Sequence, residues 1–178
     1  GVEPPPAPSR PVLYEDDDVL AVDKPPLVAV HPSGRHVNDT LIQRVHAYYK
    51  DELAEGLLAP RLGHRLDRET SGVVLVGKHT RAHAEIRRQF EEHEVEKTYQ
   101  AVVWGELEAD EGSVRFPIGP ARASHIRLKM TVTEAGLEAR TDWRVVARHP
   151  GYTLVECDLF TGRQHQIRVH LAAIGHAI

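Results

Sequence analysis

Cysteine occurs once in the 178 residues, at Cys157. A lone thiol excludes an internal disulfide framework. Its place in an alternating apolar run reads as a small buried residue rather than a nucleophile. Long apolar runs are missing as well: no stretch approaches the roughly 18–20 apolar residues that cross a bilayer. No membrane segment is expected. No secretory signal pattern is present, and the expected setting is cytoplasmic and reducing. There is no Gly-rich phosphate loop, no CxxC pair and no Ser/His/Asp signature. His79 and His83 stand at i, i+4, a spacing that suits zinc, but no third ligand is recognisable nearby and no metal is expected. Net positive charge is lacking too: the chain carries −4 at pH 7. Taken whole, that argues against a generally basic nucleic-acid binder.

The distribution of charge says more than its sum. Between Arg61 and Arg88 there are seven basic residues against three acidic ones. Between Glu91 and Glu111 there are eight acids against the single base Lys97. An acidic chain can therefore present one basic face. The 12 histidines add positive charge only below about pH 6.5. Hydrophobic residues make up 41% and charged residues 27%, the balance of an ordinary globular domain.

Gly1 to Pro11 is proline-rich and aperiodic, and reads as a leader or linker remnant. Val12–Tyr14 and Val19–Val22 flank the acidic run Glu15–Asp18, the pattern of a hairpin with a solvated turn. Pro25 and Pro26 stop the second strand. Leu27–Val30 reads as extended chain. Asn38 or Asp39 is placed to cap a helix through about Leu53, with Leu41, Val45 and Tyr49 on one face. Residues 56–63 read as loop. Val73–Val76 is a short buried strand, and Thr80 is placed to cap a helix striped by Ala82, Ile86 and Phe90. Val95–Gly105, Ser113–Ile118, Ile126–Val132, Glu138–Ala147 and Tyr152–Phe160 read as strands. The turn after Gly119 carries Arg122 and His125, and His149-Pro150-Gly151 turns the last hairpin. Ile167, Leu171 and Ile174 give a helical stripe that Gly175 is placed to end. Strands follow one another as hairpins, which favours an α+β fold over a parallel βαβ one.

One stretch stands apart: His64-Arg65-Leu66-Asp67-Arg68-Glu69-Thr70-Ser71-Gly72 sets a carboxylate between two arginines at the mouth of a strand. Charge pattern alone leaves a solvated salt-bridge cluster as the ordinary reading, since surface ion pairs are common and contribute little. Its companions change that reading. Leu13 through Pro25 leading to His31-Pro32, the 64–72 stretch, Lys97-Thr98-Tyr99, and Gly162-Arg163-Gln164-His165-Gln166-Ile167-Arg168-Val169-His170-Leu171 appear in one order. Together they resemble the RluA family of pseudouridine synthases from Val12 onward. Leu27 departs from the family, which often has Gly there. Gln164 stands where many members have Thr.

The resemblance implies an α+β catalytic domain with a mixed, mostly antiparallel central sheet flanked by helices. It spans residues 12–178, and its C-terminal end is expected to lie beyond Ile178. It implies isomerisation of uridine to pseudouridine in structured RNA, ribosomal RNA first and transfer RNA second, without cofactor or metal. Asp67 is then the catalytic carboxylate, Tyr99 lies against the target base, and Arg168 pairs with the carboxylate. Arg65 helps displace the nucleotide, and His64, Arg68 and Arg163 contact the RNA. A monomer is expected. The chemistry suits these residue types. Breaking the N-glycosidic bond, turning the uracil and rejoining it through C5 moves no atoms in or out. It asks for an ionised carboxylate as nucleophile or base. A stacked uridine must first be flipped out, at a few kcal/mol. The residues alone leave two rivals open: a glycosidic-bond hydrolase using Asp67 with Glu69, and a non-catalytic RNA-binding module.

Overall fold

A computed structural model describes residues 12–34, 37–121 and 129–178. The proline-rich leader, and the turn residues Arg122 and His125 with the start of the strand expected from Ile126, lie outside them. The chain folds as two compact units, one reaching to Glu92 and the other running from His93 to Ile178.

The first unit holds β1 (Val12–Glu15), β2 (Val19–Lys24), α1 (Leu41–Tyr48), α2 (Lys50–Ala54), β3 (Arg61–Leu62), β4 (Gly72–Gly77) and α3 (Thr80–Glu91). Its sheet runs β1-β2-β4-β3 with antiparallel neighbours throughout. The acidic run makes the first turn for a specific reason. The Asp16 carboxylate accepts from the backbone N–H groups of Asp18 (2.9 Å) and Val19 (2.7 Å), an Asx turn. Leu20 and Val22 on β2, Val74 and Val76 on β4, and Leu41, Val45 and Ile86 on the helices are buried. Gly77 lets α3 approach β4, since a Cβ there would stand 2.4 Å from the His83 nitrogen.

Several expectations shift here. The first helix is capped by Thr40, not by Asn38 or Asp39: the Gln43 side chain accepts from the Thr40 N–H at 2.9 Å. Asp39 instead takes a left-handed φ of 57° and pairs with Arg44. The helix breaks at Tyr49, whose ring is buried while its hydroxyl donates to Glu15. His79, not Thr80, caps α3, its Nδ1 accepting from the Ala82 N–H. Residues 61–62 of the expected loop pair with β4 as a short strand.

The expected extended run at Leu27–Val30 is a loop, and Leu27 holds φ 66° with its side chain 67% exposed. A left-handed backbone favours glycine and disfavours a γ-branched side chain by roughly 1–2 kcal/mol.

The second unit holds β5 (Thr98–Trp104), β6 (Glu111–Val114), β7 (Ile118–Pro120), β8 (Met130–Val132), β9 (Thr141–His149), β10 (Tyr152–Leu159) and α4 (Gln166–Ala173). A sheet of order β5-β10-β9-β6 and a β7-β8 ribbon are both antiparallel. The α+β reading holds, and every ladder among the described residues is antiparallel. Alternation on β9 and β10 buries Trp143, Val155 and Cys157 with Ala101, Val103 and Leu171. Burial pushes the Cys157 thiol up to about 12, which makes it inert, as the sequence implies. The strand expected from Ser113 begins two residues earlier, at Glu111, and as β6 it ends at Val114.

The last helix differs from its expected stripe. Leu171 is buried and Ile167 and Ile174 are half-buried, but the buried face also carries Gln166 and His170. His170 Nε2 meets the Phe116 carbonyl at 2.8 Å, and Nδ1 meets the Thr141 hydroxyl at 2.8 Å. A carbonyl accepts only, so Nε2 carries the proton and Nδ1 accepts from Thr141. Burial depresses the pKa of His170.

Two predictions follow from these strained and buried groups. Leu27→Gly is expected to stabilise the protein by about 0.5–1 kcal/mol, the left-handed penalty less glycine's added chain entropy. A urea midpoint no higher than wild type would overturn this. For His170, the unfolded chain binds the proton more readily than the fold. Its contribution to stability is therefore complete above the ordinary histidine pKa of about 6.5 and is lost as pH falls below it. Thermal melts between about pH 7.5 and 5 are expected to show a decline that is shallower in His170→Gln.

Candidate active site

The 64–72 stretch connects β3 to β4, and the fold fixes both its ends. At the start, Leu75 on β4 presents a full set of backbone groups. Its carbonyl accepts from Gly63 N–H at 2.7 Å, and its N–H donates to His64 Nε2 at 3.0 Å. The imidazole thus terminates the ladder and frees the chain to leave the sheet. The ring stacks on Phe90 of α3, centroids 4.6 Å apart. His64, expected as an RNA contact, has this positioning duty first.

The far end is held by Lys24. β2 and β4 pair so that Lys24 lies opposite Gly72. Its side chain is fully buried, and Nζ donates to the carbonyls of Pro25 (3.0 Å), Val28 (2.8 Å) and Arg68 (3.1 Å). Three ammonium hydrogens therefore meet three acceptors. The Arg68 carbonyl belongs to a turn that closes with Thr70 N–H donating to the Asp67 carbonyl at 3.1 Å. The carboxylate-bearing residue is thus the first of a turn whose second residue is pinned from below. Burial lowers the pKa of Lys24, while the nearby carboxylates of Glu69 and Asp67 oppose the shift. Sequence reading left this lysine without a role. The signal was a cation on the inward-facing alternation of β2, where Leu20, Val22 and Lys24 share one face and Asp23 lies on the other.

Within the loop the charges sort themselves. Glu69 is turned to Arg68, which bonds it at 2.9 Å. Asp67 is half-buried, and Arg65 is exposed. Arg65 and His64 line a groove of about 620 Å³ bounded by α1, β3 and α3. His79, one of the i, i+4 histidine pair, caps α3 through Nδ1 and bonds Asp18 through Nε2, and among the described residues no group of three candidate metal ligands comes together.

The remaining expected residues lie in the second unit. Tyr99 sits on β5 opposite Cys157, half-buried against the core cluster. Arg163 and Arg168 flank the start of α4, whose first residue is the second hidden anchor. Gln166 is buried, and its side chain makes four hydrogen bonds. Oε1 accepts from the Thr161 hydroxyl (2.7 Å) and Arg163 N–H (3.0 Å), and Nε2 donates to the Arg140 carbonyl (2.9 Å) and the Thr141 hydroxyl (3.0 Å). These bonds hold the 161–166 loop in shape, with His165 at a left-handed φ of 55°. Arg163 donates through Nε to the Glu138 carbonyl at 2.8 Å, and Arg168 is exposed one turn into view of solvent. Lys97 lies under the same loop, its Nζ 3.5 Å from the Thr161 carbonyl, and burial together with Arg163 lowers its pKa. Gln166 and Lys97 stood inside the quoted motifs with no role assigned. A polar residue on an apolar helical face was the available clue.

Lys24→Met keeps the volume and removes all three donors. It is expected to lower stability by about 2–4 kcal/mol, because buried carbonyls lose their partners while the relief from burying a charge returns only part. Chemical denaturation checks this, and an unchanged midpoint would show that the lysine is not a brace.

Comparison with known proteins identifies the family. The family model described as RNA pseudouridylate synthase matches residues 18–173. An uncharacterized RNA pseudouridine synthase of Bacillus subtilis (strain 168), YlyB, is 42% identical over 165 residues, covering 92% of this chain and 54% of that protein. Ribosomal large subunit pseudouridine synthase D of Nitrosomonas europaea is 40% identical over 169 residues, covering 94% of this chain and 47% of that protein. The chain thus spans about half the length of the curated relatives it matches. Among solved structures, human RNA pseudouridylate synthase domain containing 1 superposes with a TM-score of 0.80 at 26% identity, covering 98% of this chain and 69% of that one. A buried lysine and a ladder-ending histidine hold an Asp-centred turn in a chain matched from Asp18 to Ala173, and this chain belongs to the RNA pseudouridine synthase family of RluA type.

Proposed function

We propose that the protein isomerises uridine to pseudouridine in structured RNA, ribosomal RNA first and transfer RNA second. It is proposed to act as a monomer in the cytoplasm. The observation that carries the reading is the braced turn at Asp67, inside a chain that matches the family along nearly its whole described length. The choice of ribosomal RNA rests on relatives named ribosomal large subunit pseudouridine synthase D.

The roles follow from chemistry. Asp67 supplies the carboxylate, attacking the ribose or the base or stabilising charge as the glycosidic bond breaks. A turn held by hydrogen bonds keeps that oxygen in place at no reorganisation cost during the reaction. Arg168 pairs with the carboxylate and orients it. Tyr99 offers a ring face for the uracil, and base stacking contributes about 1–3 kcal/mol toward holding the flipped nucleotide. Arg65 fills or disrupts the stack the uridine leaves, and Arg68, Arg163 and the edge of His64 contact the backbone. The detached uracil is neither oxidised nor reduced, so the residues need only hold, turn and deprotonate it.

Asp67→Asn is expected to abolish pseudouridine formation in uridine-containing ribosomal RNA while leaving RNA binding within a few-fold of wild type. Arg168→Ala is expected to lower the rate at least 100-fold, about 2.7 kcal/mol of transition-state stabilisation. Mass-neutral chemical mapping of pseudouridine reads both. Equal yields from Asp67→Asn and wild type would end the assignment, and release of free uracil would point to hydrolysis instead.

A further inference from the structure

The groove beside Arg65 encloses about 620 Å³, and its chemistry is one-sided. Arg61, Arg65 and Arg87 line it together with His31, His46 and His83, over an apolar floor. No aspartate or glutamate is among its lining residues. That is unusual for this protein, where acids outnumber Lys and Arg 26 to 22. The arginines elsewhere are mostly spent on carboxylates: Arg44, Arg88, Arg140, Arg144 and Arg148 each have a carboxylate oxygen within 2.6–2.8 Å. Arg61 and Arg65 are exposed and, among the described residues, make no side-chain hydrogen bond or ion pair. Arg87 pairs with Glu91 at 2.7 Å and can exchange that exposed partner.

We infer that this groove is a phosphate-binding track for the RNA strand flanking the target uridine. The inference rests on the function proposed above and extends it to the strand around the target. Free guanidinium forks match phosphate oxygens bidentately, and ring N–H groups of His31 and His83 add donors, whereas His46 Nε2 is taken by the Pro60 carbonyl at 3.1 Å. The volume lies in the range of about 300–1,000 Å³ that admits a ligand of nucleotide size rather than a lone ion. The track begins at the loop itself, because Arg65 belongs to both. A backbone gripped at Arg61 and Arg87 would therefore present its next nucleotide to the turn at Asp67. The contacts are to phosphates, so they position the strand and carry no base preference.

The test is the salt dependence of binding to a labelled RNA hairpin, followed by anisotropy between 50 and 300 mM salt. Each phosphate contact adds about 0.7–0.9 to the log–log slope. Arg61→Gln and Arg65→Gln are each expected to reduce the slope by that amount, with about fivefold weaker binding at 0.1 M salt. The double variant is expected to lose twice as much slope, and Arg61→Lys to retain it. Arg144→Gln, a paired arginine in the other unit, serves as the control. Circular dichroism melts show that each variant is folded. Slopes equal to wild type in both single variants would overturn the track. So would a loss confined to uridine monophosphate binding with the RNA slope intact, since the groove would then hold a free nucleotide. Pseudouridine formation by the wild type, measured in the same buffer, tests the parent reading separately. Isomerisation with unchanged variant slopes removes the track alone, and reduced slopes without isomerisation remove the parent reading alone.

Discussion

A single buried ammonium organises the first unit. Lys24 lies at the end of β2 with no exposed surface, and its three donors are consumed by the carbonyls of Pro25, Val28 and Arg68. Burying a cation is unfavourable by several kcal/mol unless its hydrogens are all met. Here they are met by backbone from two separate stretches of chain. The result is a joint: the end of a core strand, the loop after it and the turn at Asp67 are held by one atom. Moving any of them strands a charge, so the turn cannot drift independently of the sheet. The carboxylates of Asp67 and Glu69 are close enough to oppose the pKa depression that burial imposes, which couples the joint to the charges it positions.

The second unit solves the same problem with neutral groups. Gln166 and His170 replace apolar residues on the buried face of α4, and with Thr141 they form a chain of hydrogen bonds ending on the Phe116 carbonyl. Fully satisfied networks of this kind fix one geometry, because any slip leaves a buried polar atom unpaired. Among the described residues no buried side-chain polar atom lacks a partner. Arg163 and Arg168 are carried at the start of that helix, so their placement inherits the rigidity of the network. Each unit by itself therefore presents charged side chains from backbone that buried polar groups hold in place.

Ion pairs play a smaller part. Most lie at the surface, where solvent screens them and their net worth is a fraction of a kcal/mol. Their arrangement matters more for where they are absent. Pairing along α3 and across β9 and β10 neutralises those faces, while the exposed Arg61 and Arg65 stand beside and within the loop that carries Asp67.

The sequence alone determined four of the strands, because their side chains alternate over cores that demand it: β2, β4, β9 and β10 stand where apolar period and turn residues placed them. Through the order of four motifs it also singled out Asp67, Tyr99, Arg65 and Arg168 as candidate site residues, and it read Cys157 as buried and inert. What it missed are features whose cause is not local. The cap moved from Asn38 or Asp39 to Thr40 because Gln43 completes a reciprocal pair there, and Asp39 was drawn off by Arg44. The break at Tyr49 depends on a hydroxyl partner, Glu15, 34 residues away. The positive φ at Leu27 is imposed by the loop that Lys24 gathers, against the preference of the side chain. The roles of Lys24, His64 and Gln166 required knowing which carbonyl or N–H stood opposite, and backbone hydrogen-bonding groups are the same in every residue. One-dimensional patterns of side chains reveal which residues are buried and which are charged. Only the tertiary structure decides which backbone atoms those side chains meet.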